Sequence, residues 1–142
     1  MRTYATTGII SYMQYVALIR GIGPRNSNMS NSNLCRVIES VGCHNVRSVI
    51  TSGNILFVSS KNASALEKEI SSALQVQLNI PGKTLVRSQK ELALLIAAKP
   101  FDNEVHTSRS YLSVTFLLKR PAVNRSIILV SLLNDYQNVR YV

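Results

Sequence analysis

The sequence predicts an α+β fold, and three observations carry that prediction. Two segments place apolar residues at helical spacing, and four short runs are rich in β-branched and aliphatic residues. The two kinds alternate in the order strand, helix, strand, strand, helix, strand. That order is the split βαβ, or ferredoxin-like, arrangement, in which both helices cover one face of an antiparallel sheet. With 142 residues, 46% of them hydrophobic, the chain is long enough to bury such a core without disulfides or metal.

The elements follow one another closely. Residues 14–22 alternate weakly and read as a buried strand. Leu34, Val37, Ile38 and Val41 then fall at i, i+3, i+4 and i+7, one stripe of a helix opened by Ser30 or Ser32 and closed by Gly42. Residues 46–50 and 55–59 make two strands about a Ser52-Gly53-Asn54 turn. Val49 with Thr51, and Ile55 with Phe57, supply their period-two alternation. The second helix carries Leu66, Ile70, Ala73, Leu74 and Leu78 on one face. Asn62 or Ser64 caps it, and Ser64 with Glu67 has capping-box spacing. Pro81-Gly82 breaks the chain before a strand at 84–87. A third helix starts at Ser88, turns Leu92, Leu95 and Ile96 inward and stops at Pro100.

Further on, 103–110 reads as a polar loop. Leu112, Val114, Phe116 and Leu118 alternate with Tyr111, Ser113 and Thr115 as a strand over 111–118. Residues 126–133 read as a helix after Pro121, although Ile127-Ile128-Leu129-Val130 suits a strand. The expected organisation is an N-terminal extension at 1–12, a ferredoxin-like α+β domain at 13–101, and a partial second α+β unit at 102–142. Because the last segment stops within a strand pattern, it is expected to lack part of its domain, or to complete its sheet with another chain as a homo-oligomer through an open sheet edge.

The formal net charge is +9. Residues 1–60 hold Arg2, Arg20, Arg25, Arg36 and Arg47 against Glu39 alone. Such a balance attracts phosphates, nucleic acid or other polyanions, without specifying a sequence. No run approaches the roughly 18 apolar residues of a membrane span, and residues 1–13 resemble neither a signal peptide nor a transit peptide. The chain reads as cytoplasmic, with no membrane partner. Cys35 and Cys43 form no CxxC pair and read as free, partly buried thiols.

Little supports catalysis or metal binding. Cys43-His44 has no second His nearby, and Asp102, Glu104 and His106 read as a solvated acidic loop. Ser52 lacks the Gly-x-Ser-x-Gly elbow, and the six tyrosines form no RNP-like pattern on one strand. No metal is expected, and the sequence leaves the cofactor open.

The candidate site is the loop at 20–26 with the turn at 52–54. Gly21 and Gly23 can take φ > 0 and let backbone N–H groups converge on an anion; Arg20 and Arg25 flank them, and a helix N-terminus follows. Asn26, Ser52, Gly53 and Asn54 complete the set. The loop lacks the third Gly of a dinucleotide fingerprint and the Gly-Lys-Ser/Thr of a P-loop. Geometry alone also accounts for glycines in a tight strand-to-helix connection, and for Gly53-Asn54 in a turn.

Several of these residues carry a resemblance. Ala17-Leu18-Ile19-Arg20-Gly21-Ile22-Gly23-Pro24, Asn28-Met29, Leu34 through Gly42, Asn45-Val46 and Ser52-Gly53-Asn54-Ile55-Leu56-Phe57 resemble the domain-of-unknown-function 1697 family, DUF1697. Lys99-Pro100-Phe101 and the run ending at Leu118 fit its later part, so the resemblance spans residues 13–120. It implies a mostly bacterial α+β protein with a ferredoxin-like part and no established activity. It also implies a usual start near Met13 and a continuation past this chain's end, toward an Arg-Asn-Trp motif that a chain without Trp does not contain. Three functions remain open, in this order: a binding module for an anionic small molecule or nucleic acid, an interaction or self-associating domain, and an enzyme that needs the C-terminal region.

Overall fold

A computed structural model describes residues 10–23, 25–50, 53–101, 105, 107, 108, 112 and 114–119. Its elements are β1 (Met13–Ile19), a 3-10 turn (Ser27–Met29), α1 (Asn31–Ser40), β2 (His44–Val49), β3 (Asn54–Ser59), α2 (Ala63–Leu78), β4 (Thr84–Ser88) and α3 (Gln89–Ala97). The four strands form one sheet in the order β2-β3-β1-β4, antiparallel at each pairing. Among the described residues the chain is thus mixed α+β, with a four-stranded antiparallel sheet and three helices. It divides between Gln89 and Lys90 into two compact units.

In the first unit, strand alternation and helix stripes meet in one core. Tyr15, Ala17 and Ile19 of β1, Ile55 and Phe57 of β3, and Val86 of β4 share a face of the sheet. Leu34, Val37 and Ile38 of α1 and Leu66, Ile70 and Leu74 of α2 are buried in the same cluster, which puts both helices on that face. The opposite face is apolar too: Val16 is buried, and Leu18, Leu56, Val58 and Leu85 are half-buried. Strands apolar on both faces explain why 14–22 alternates only weakly. Tyr15 stacks on Phe57 with ring centroids 5.8 Å apart, and its hydroxyl donates to the Lys61 carbonyl at 3.0 Å.

The caps resolve the alternatives left by the sequence. Ser30 caps α1 by accepting from the Asn33 amide, and Gly42 at φ +84 follows its end. Asn62, not Ser64, caps α2 by accepting from the Ala65 amide. Glu67 therefore forms no capping box; its carboxylate accepts from the Val86 amide at 3.0 Å instead. At the other end Asn79 is left-handed, φ 54, and the Ile80 amide reaches back to the Leu74 carbonyl. The Asn79 amide donates to the Gln75 carbonyl at 3.1 Å, an αL cap, and Ile80 is buried just beyond it.

Other expectations shift. β1 stops at Ile19 rather than at residue 22, because Gly21 at φ +81 turns the chain and Ile22 packs back onto the core. β2 begins at His44 and leaves the ladder regular only from Arg47, since Asn45 at φ 51 inserts a bulge between His44 and Arg47. Val49, opposite Asn54, lies on the face away from the helices and is exposed, and Thr51, expected to alternate with it, lies outside the described residues.

The second unit is described by itself. α3 has no fully buried residue: Leu92 and Leu95 are half-buried, whereas Ile96, expected inward with them, is 76% exposed. The helix ends at Ala97, and Lys99 at φ 46 precedes Pro100. Residues 112 and 114–117 have no strand assignment, so the strand expected at 111–118 is absent among its described residues. Val114, Leu117 and Leu118 are exposed there. The helix expected at 126–133 and the acidic loop residues Asp102, Glu104 and His106 lie outside the described residues.

One buried group carries a stability prediction. Thr84 is 1% exposed and its Oγ1 has no hydrogen-bond partner among the described residues. Thr84→Val replaces that hydroxyl with a methyl of similar shape, and removing an unmet polar group raises stability by about 1 kcal/mol. A urea unfolding curve checks it through an increased midpoint.

Candidate functional site

Three connections meet at the carboxyl end of β1. Leu18 pairs with Asn54, and Ile19 with Thr84, so this end lies between the first residues of β3 and β4. The Ile19 amide donates to the Gly53 carbonyl at 3.0 Å. Gly53 is buried at φ +76, and a Cβ there would stand 2.6 Å from Ile22 Cγ1 and 3.0 Å from the Ile19 carbonyl oxygen. A Cβ on Gly82, between α2 and β4, would collide with the Arg20 carbonyl oxygen. Asn31 Nδ2 donates to the Ile50 carbonyl at 3.3 Å and joins the start of α1 to the β2–β3 turn.

Of the residues expected at the site, Arg20, Gly21, Gly23, Arg25 and Asn26 lie on the β1–α1 loop, Gly53 stands against Ile22 of that loop, and Asn54 pairs with Leu18 of β1. Ser52 lies outside the described residues. Gly21 takes the left-handed conformation and faces open space. Gly23 also faces open space but is not left-handed: its N–H donates to Met29 Sδ at 3.1 Å, and its carbonyl accepts from the Asn26 amide at 3.0 Å. Asn26 Oδ1 accepts from the Asn28 amide at 3.0 Å, so this side chain shapes the loop. Asn33 Nδ2 closes the same loop by donating to the carbonyls of Ser27 and Asn28.

Charge is left over at this end. Among the described residues the ion pairs join Lys61 to Glu69, and Arg87 to Glu67 at 3.2 Å. Neither pair involves Arg20, Arg25 or Lys83, all of which are exposed. The loop can therefore offer guanidinium groups to an anion, whereas the Gly23 amide is already engaged. Ile50 adds an unusual surface feature: it is 71% exposed and sits at φ 51, a conformation that a β-branched residue rarely adopts.

Gly82 and Lys83 are the residues the sequence did not flag. Pro81-Gly82 reads as a chain break in any sequence, and only the fold shows that Gly82 lies against Arg20. A shallow groove lies elsewhere, between α1 and α2, lined by Ser40, Val41, Lys61, Glu69, Val76 and Gln77; none of the expected site residues lines it.

The cysteines are free, Cys35 half-buried and Cys43 buried. Burial, assisted by Glu39, pushes the Cys35 thiol up against the lowering effect of a Ser48 backbone hydrogen bond. Burial also pushes Cys43 up, opposed by Ser59 and Lys61 and assisted by Glu69. Both thiols stay protonated at neutral pH and are poor nucleophiles. Among the described residues no three His, Cys, Asp or Glu side chains form a metal-binding group, and no helix is long and apolar enough to cross a membrane.

These features define the protein first by class, as an α+β domain with connections clamped at one end of an antiparallel sheet. Residues 13–140 match the family described as protein of unknown function, DUF1697, and the chain belongs to that family. The match begins at Met13, where the resemblance placed the usual start, and runs on beyond residue 120, where the resemblance stopped. No curated protein matches the chain. A solved structure of a conserved bacterial protein from Streptococcus pneumoniae is similar, with a TM-score of 0.55 and 22% identity. The similarity covers 61% of this chain and 48% of that one, and at this identity it speaks for the fold alone.

Two glycine substitutions separate packing from freedom. Gly53→Ala combines a left-handed φ with a collision and lowers stability by about 2 kcal/mol. Gly23→Ala faces open space in an ordinary conformation and changes stability by less than about 0.5 kcal/mol. Chemical denaturation of the two variants reads the contrast directly.

Proposed function

We propose that the chain is a binding module for an anionic ligand, a phosphate-bearing small molecule, nucleotide or nucleic acid, at the loop of residues 20–25. One observation carries the reading: Arg20 and Arg25 are exposed, and no ion pair among the described residues engages them, on a loop whose backbone Gly53 and Gly82 hold closely. Lys83 beside Gly82 adds to the positive potential, and Asn54 borders the loop. The module is of ferredoxin-like type; the strand order β2-β3-β1-β4 and two helices on one face support that. The chain's division after Gln89 supports a second unit beyond it.

A second reading has one observation in its favour. β2 is an edge of the described sheet, and most of its residues are exposed, so it offers backbone groups to another chain. In that reading the protein is an interaction domain that associates with itself through β2.

Titration with inorganic phosphate, a nucleotide and a short oligonucleotide at two salt concentrations tests the first reading. Binding that weakens with salt, and about tenfold on Arg20→Ala or Arg25→Ala, is the expected result. No binding, or binding that both variants keep, rejects it.

A further inference from the structure

The other edge of the sheet is built differently. In the β1–β4 register, Tyr15 stands opposite Ser88, Ala17 opposite Val86 and Ile19 opposite Thr84. The Ile19 amide turns toward Gly53 at the β3 side of β1. Alternation then turns the backbone groups of Val16 and Leu18 toward β4, and those of Thr84 and Val86 outward, away from the sheet. On a bare edge these outward groups would be the template for a further strand.

Both outward amides and the Val86 carbonyl are instead occupied by side chains. The Thr84 amide donates to Ser71 Oγ at 3.0 Å, and the Val86 amide donates to Glu67 Oε1 at 3.0 Å. Arg87 Nη1 donates to the Val86 carbonyl at 2.7 Å and to Glu67 Oε1 at 3.2 Å, which closes a ring of contacts along the edge. The spacing makes the match. Glu67 and Ser71 are i and i+4 on a helix, about 6 Å of rise, and Val86 and Thr84 are two apart on a strand, about 6.7 Å. Two helical side chains one turn apart can thus serve two successive outward amides of an antiparallel neighbour.

We infer that Glu67, Ser71 and Arg87 form a guard that closes the β4 edge to strand addition by a second copy of this chain. The occupant excluded is β4 itself. An edge with outward groups at alternate residues pairs with its own copy, antiparallel about a two-fold axis, when nothing covers it. The guard leaves β2 as the edge of the described sheet open to pairing, and it does not depend on the anion reading.

The test compares the full chain with Glu67→Ala/Ser71→Ala and with Glu67→Gln, which keeps an acceptor oxygen. Hydrogen exchange followed by NMR should show the Thr84 and Val86 amides exchanging about tenfold faster in the double variant, while Leu85 and Arg87 hold their wild-type rates. Sedimentation velocity should show a concentration-dependent association in the double variant beyond whatever the wild type and Glu67→Gln show through β2. If the double variant does not fold, Ser71→Ala alone should accelerate Thr84 and leave Val86 unchanged. Unaltered exchange at Thr84 and Val86, or faster exchange without added association in a folded double variant, overturns the proposal.

Discussion

The described fold depends on the placement of β1 between β3 and β4. Both neighbours pair antiparallel with it, and its Tyr15, Ala17 and Ile19 form the floor on which α1 and α2 pack. Ala17 is wholly buried and small, so the bulk of the core comes from Phe57, Leu34, Ile38, Leu66, Ile70 and Leu74 around it. Burial of this apolar layer is the dominant favourable term, and it fixes register as well as stability. A slip of one residue in β1 would carry Tyr15, Ala17 and Ile19 to the opposite face.

The same placement creates the candidate site. A central strand that ends between two others brings its following loop against the start of both. Gly53 and Gly82 mark where the β2–β3 turn and the α2–β4 connection approach the backbone of Ile19 and Arg20 too closely for a Cβ. Positioning of the loop is therefore a consequence of the sheet. The arginines it carries are a separate feature, which packing does not require.

Much of this was legible in the sequence. Helical stripes at Leu34, Val37 and Ile38 and at Leu66, Ile70 and Leu74 gave correct core faces, because an amphipathic helix shows its period directly. Strand ends were harder. The bulge at Asn45 and the turn at Gly21 depend on φ, which an apolar run does not encode. Glu67 shows how a local motif can mislead: the Ser64–Glu67 spacing fits a capping box, yet tertiary pairing with β4 claimed the carboxylate. In the same way the proximity of Gly82 to Arg20 is a long-range contact with no local signature. α3 was legible only in part, since Leu92 and Leu95 are half-buried but Ile96, assigned to the same face, is exposed.

The central claim is that the loops at the carboxyl end of β1 form one anion-responsive surface. Two-dimensional NMR of the labelled chain during a titration with inorganic phosphate tests it most directly. The account predicts shifts confined to the amides of residues 20–26, 53–54 and 82–83, moving together along one binding curve. Shifts elsewhere in the sheet or helices, separate curves for the three segments, or no response to phosphate would contradict it.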